Sequence, residues 1–104
     1  MTKRSVLLLG LRGVVVEDAR AHLQMPDIDL YGGGSIEDMR AVFAQTKVDH
    51  VIMGGGLALE IRLAIVREVF ESSNATTVHM KDIETGPQGF LPFVRAVLQG
   101  LRTL

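Results

Sequence analysis

Ser5-Val6-Leu7-Leu8-Leu9-Gly10-Leu11-Arg12-Gly13 is the stretch whose reading decides the fold. A run of long and branched apolar side chains without polar alternation predicts a strand covered on both faces, as in a parallel sheet. The same pattern returns at His50-Val51-Ile52-Met53, which also runs straight into glycine, at Gly54-Gly55-Gly56. Two further runs, Ile28-Asp29-Leu30-Tyr31 and Thr76-Thr77-Val78-His79-Met80, alternate apolar with polar residues and predict strands with one face only partly covered.

Between these four runs lie longer segments of helical period, the rhythm of strand-helix units around a parallel sheet. Right-handed crossovers with the two continuous runs central and the two alternating runs at the edges predict the strand order 2-1-3-4. The expected fold class is therefore α/β, a four-stranded parallel sheet in a Rossmann-like or flavodoxin-like three-layer sandwich. A chain of 104 residues fits one such domain. In outline the rhythm resembles response-regulator receiver domains, which carry acids after the first strand and a phospho-accepting aspartate ending the third. Gly10 and Met53-Gly54 occupy those positions here, so the resemblance implies the rhythm of the fold and not phosphorylation.

The helices carry their own signals. The first, about Val14 to Gln24, is expected to end before Pro26 and to turn Val15, Ala19 and Leu23 towards the sheet. The second starts at Ser35-Ile36-Glu37-Asp38, where the serine oxygen accepts from a free first-turn N–H and the carboxylates favour the positive end of the dipole. Ile36, Met39 and Phe43 form its buried stripe. The third, about Leu57 to Ser72, carries one stripe of Leu57, Ile61, Ala64 and Ile65 and a second of Leu59, Leu63, Val66 and Phe70, more apolar surface than one sheet contact needs. The fourth begins within Pro87 to Pro92 and presents Phe93, Val94, Val97, Leu98 and Leu101.

Composition narrows the functional classes. The chain has no cysteine, which removes disulfides, thiolate metal sites and cysteine nucleophiles and makes the reducing cytoplasm the expected location. The basic and apolar start imitates a secretion signal, but Arg12 interrupts it and no small-residue cleavage site follows. No apolar stretch reaches the roughly 20 residues that span a bilayer, so no membrane association is expected. A net charge of -1 and the absence of tryptophan leave neither a basic footprint nor a stacking platform for nucleic acid.

Eight of the eleven glycines fall after the first three strands: Gly10 and Gly13, then Gly32, Gly33 and Gly34, then Gly54, Gly55 and Gly56. In open parallel sheets ligands bind outside the carboxyl ends of the strands, where glycine lets the backbone approach an anion and helix N-termini offer free N–H groups. These eight glycines, with Arg12 as a bidentate partner for carboxylate or phosphate, form the expected binding edge. Tight turns alone also explain glycines there. No dinucleotide or phosphate-loop fingerprint is complete, so no cofactor is identified.

His79, Lys81 and Asp82 form the one close cluster of acid-base residues at that edge. Strand alternation separates His79 and Lys81 from Asp82 unless the chain turns after Met80. His22 lies in the first helix, and His50 opens the third strand at the opposite edge from His79, so a three-histidine metal site is not expected. The irregular stretch from Asp82 to Gly89 reads as a surface connection or a lid.

Three functions fit these features. The first is a module that binds or senses a small anionic metabolite at the glycine loops. The second is an assembly module, a homodimer covering the surplus face of the third helix or an open sheet edge. The third is a small enzyme using His79 or Lys81 as the acid-base group.

Overall fold

The computed structural model describes residues 3–101. β1 (Arg4–Leu9) pairs in parallel with β2 (Ile28–Gly33) on one side and β3 (His50–Met53) on the other, and β4 (Thr77–Met80) pairs with β3. The order is β2-β1-β3-β4, as the crossover rule requires for these four units. Val6, Leu7, Leu8 and Leu9 have no exposed surface at all, which is the cost-free arrangement for a run with no polar side chain to place in water.

Alternation along β1 divides the core in two. Leu7 and Leu9 join Val51 and Met53 beneath α2 (Ile36–Gln45) and α3 (Leu59–Ser72). Val6 and Leu8 join Ile28, Leu30 and Ile52 beneath α1 (Val16–Leu23) and α4 (Phe90–Gly100). Successive strand residues point to opposite faces, so one apolar run anchors both helix layers. Among the described residues no helix is long and apolar enough to cross a membrane.

Local signals mostly place the element ends. Ser35 caps α2, its Oγ accepting from the Asp38 N–H at 3.1 Å, while Asp38 Oδ2 accepts from the Gly34 N–H at 2.8 Å. The pair resembles a capping box whose acidic member reaches one residue further back. A 3-10 turn at Pro87–Gly89 leads into α4, with proline in the first turn where its missing N–H costs nothing.

Three expectations are corrected. β2 runs two residues beyond Tyr31, so Gly32 and Gly33 are strand residues paired with Leu8 and Leu9. Val15 precedes α1 and is 64% exposed, because Val14 and Val16 pack over Gly32 in its place. In α3, Ile61 and Ala64 are exposed, and the buried pair is Ile65 and Val69. Replacing Ser35→Ala is expected to lower stability by about 1 kcal/mol, read as a lower urea midpoint with unchanged slope.

Candidate functional site

A pocket of about 550 Å³ opens at the carboxyl end of the sheet. Its walls are the β1–α1 loop from Gly10 to Val14, the β3–α3 loop from Gly54 to Gly56, and Lys81, Ile83, Gly86, Pro87 and Phe90 of the β4–α4 connection. These segments meet because β1, β3 and β4 are adjacent and parallel, so all three chains leave the sheet at one end.

Gly13 turns the first loop with φ +76°, a conformation that favours glycine, and its N–H donates to the Gly10 carbonyl at 2.9 Å. The amides of Gly10 and Gly54 are likewise occupied, by the Gly33 and Leu9 carbonyls. The amides of Leu11, Arg12, Gly55 and Gly56 have no backbone acceptor among the described residues. Gly55 also permits close packing: a Cβ there would lie 2.6 Å from the Asp82 carbonyl oxygen.

The glycines are thus divided in role. Gly10, Gly13, Gly54, Gly55 and Gly56 line the pocket, whereas Gly32, Gly33 and Gly34 do not. A Cβ at Gly32 would meet the Val14 carbonyl oxygen at 2.8 Å, one at Gly33 the Asp38 Cβ at 2.6 Å, and one at Gly34 the Gly10 carbonyl oxygen at 2.9 Å. The middle triplet lets the β1–α1 loop and the first turn of α2 close over β2; its glycines are packing residues.

Among the described residues, two cations and no acid line the pocket. Arg12 is exposed, and among the described residues it takes part in no salt bridge. Lys81 is only 4% exposed, although it directly follows an edge strand. Its N–H still pairs with the Met53 carbonyl at 2.9 Å, and its stem lies so near Gly89 that a Cβ there would be 3.2 Å from Lys81 Cε. Nζ donates to the Asp82 carbonyl at 2.8 Å and lies 3.7 Å from Asp82 Oδ1. An ammonium has three donors, so this leaves capacity for another acceptor. Asp82 itself faces solvent, its carboxyl held below the ordinary range first by the Thr85 hydroxyl, which donates at 2.6 Å, and also by Lys81.

His79 is not part of this group. Its Nε2 lies 2.9 Å from Thr77 Oγ1, on the α1/α4 face of the sheet, and the same oxygen is 2.6 Å from His50 Nδ1. The two rings stand edge to face with centroids 6.5 Å apart. His50 opens β3 and His79 stands two residues further towards the carboxyl end of β4; with His50 across from Thr77 and Ile52 across from His79, both imidazoles nevertheless share one face. Of the expected acid-base trio, Lys81 and Asp82 come together and His79 turns back along its strand. Among the described residues no cluster of three or more His, Asp or Glu side chains gathers as for a metal ion.

Leu11, Val14, Ile83, Gly86, Pro87 and Phe90 complete the pocket and were not among the expected binding residues. Ile83, Gly86 and Pro87 belong to the irregular stretch that the sequence offered as a surface connection or a lid, whereas Leu11 and Val14 flank the glycines of the first loop and Phe90 opens α4. No family model matches the chain, and no curated protein and no solved structure matches it.

Both imidazoles are held below the ordinary histidine range, chiefly by burial; for His50, Arg4 and His79 add to the effect and Asp49 opposes it. The unfolded chain then takes up protons first as pH falls below about 6.5. Stability is full above that value and declines as pH falls through it towards the folded values. Urea midpoints between pH 8 and pH 5 are expected to fall in this direction, and less steeply for the double replacement His50→Gln with His79→Gln. The depressed carboxyls of Glu68 and Asp82 act at lower pH, outside this window.

Proposed function

We propose that the chain binds a small organic anion, a carboxylate or phosphate attached to an apolar body, in the pocket between the β1–α1, β3–α3 and β4–α4 segments. The observation that carries this reading is the charge of the lining: Arg12 and buried Lys81 line a cavity to which, among the described residues, no carboxylate contributes. Among the described residues the Lys81 ammonium is paired only on its solvent side, with Asp82 Oδ1 at 3.7 Å, and its remaining donor capacity suits a second anionic group at this buried charge. Arg12 adds a planar fork suited to a carboxylate or phosphate edge.

The rest of the lining supports an apolar body on the ligand. Leu11, Val14, Ile83, Pro87 and Phe90 surround the two cations, and Leu11 and Ile83 are among the most exposed apolar side chains of the protein. A ligand covering them removes apolar surface from water at roughly 25 cal/mol per Å². The loops that line the pocket also carry the amides of Leu11, Arg12, Gly55 and Gly56, which have no backbone acceptor among the described residues, further potential donors to an anion.

A thermal-shift screen of aromatic and branched-chain carboxylates and of phosphate monoesters tests this. A ligand at ten times its Kd stabilises by about 1.4 kcal/mol, a rise of roughly 6 °C or more in Tm for a domain of this size. The shift is expected to vanish in Arg12→Ala and in Lys81→Met. No shift with any member of either class, or a shift unchanged in both variants, overturns the reading.

A further inference from the structure

The second apolar stripe of α3 is uncovered: Leu59 is 55%, Leu63 51% and Phe70 56% exposed, with Val66 half-buried between them. At 100° per residue these four side chains fall within an arc of about 60°, a continuous seam along a helix about 21 Å long. Ile65 and Val69 mark the sheet side of α3, and Glu68, whose carboxylate binds Arg40 of α2 at 2.7 Å, marks the α2 side. The stripe is therefore on the flank turned away from α2, above the free edge of β4, where Met80 is also 41% exposed.

We infer that this flank is covered by a second copy of the chain, with α3 pairing antiparallel to itself about a two-fold axis. The spacing 59, 63, 66, 70 alternates four and three residues, the pattern of a helix-helix seam. In the antiparallel register Leu59 meets the partner's Phe70 and Leu63 the partner's Val66. Glu60 and Arg67 stand on the solvent side of the seam, one near each end, and Arg67 also pairs along its own helix with the exposed Glu71 at 3.3 Å. The two-fold sets Glu60 opposite the partner's Arg67 between the same two apolar layers, twice per dimer. A self-complementary charge pattern of this kind selects a second copy over an unrelated apolar partner, because an isologous contact requires each patch to match itself reversed. The sheet sides of both helices then face the same way, which brings the two short β4 edges together under the helix pair and removes them from water.

Sedimentation velocity on the full chain across a dilution series tests this, with far-UV circular dichroism confirming that each variant is folded. The wild type is expected at twice 11.3 kDa. Leu63→Glu and Phe70→Glu, at sites already half exposed, are each expected to raise the dimer Kd by at least about tenfold. Glu60→Arg alone and Arg67→Glu alone place like charges across the seam and are expected to weaken it by about two- to fivefold, and the double swap to restore it. A wild type that stays at 11.3 kDa overturns the inference. So does a dimer that survives Leu63→Glu and Phe70→Glu, which places the contact elsewhere, and so does a double swap that fails to restore association.

Discussion

The arrangement of the whole molecule depends on β1 being paired on both edges and buried on both faces. Its backbone groups are satisfied by β2 and β3, so the strand can lie away from water without unmet donors or acceptors. Its side chains anchor α2 and α3 through Leu7 and Leu9, and α1 and α4 through Val6 and Leu8. A polar residue at any of these four positions would have to be placed in one core or the other, which is why the run admits none. With β1 fixed at the centre, every connection crosses a face of the sheet, and the chain leaves β1, β3 and β4 at the same end.

That common exit gathers the loops, and close backbone contact shapes them. Gly55 lets the β4–α4 connection come down against the β3–α3 loop, and Gly89 makes room for the Lys81 stem beneath the turn. The buried lysine is a consequence of this packing: the residue after β4 still pairs with Met53 and so remains at the sheet, where the folded-over connection covers it. The carboxyl end of β2 takes no part, since Val14 and Gly13 cover Gly32 and Gly34 and leave no open space above them.

The opposite extremes of the sheet are unequally protected. At β2, Ile28 and Leu30 are buried, and Arg95 of α4 donates to the His22 carbonyl, tying the two helices of that face together. At β4 the strand has four residues, none of them fully buried, and the helix above it turns Leu59, Leu63 and Phe70 outward. A four-stranded sheet needs only part of the apolar surface that α3 carries, and the unused part lies beside the open strand.

The sequence by itself determined the strand order, the central position of β1 and β3, the cap at Ser35, the edge of the sheet on which the candidate site lies, and the surplus stripe of α3. Each follows from a local period or from a chirality rule, which the chain obeys wherever it is packed. Tertiary structure alone decided which glycines line the pocket and which merely permit close packing, because that depends on what crosses above them. It also decided that His79 turns to Thr77 and His50 and away from Lys81. Strand register sets that neighbour relation, and register is fixed by pairing between residues 27 positions apart, which no local pattern contains. The burial of Lys81 belongs to the same class: a lysine in an irregular stretch reads as solvated until the turn that covers it is known.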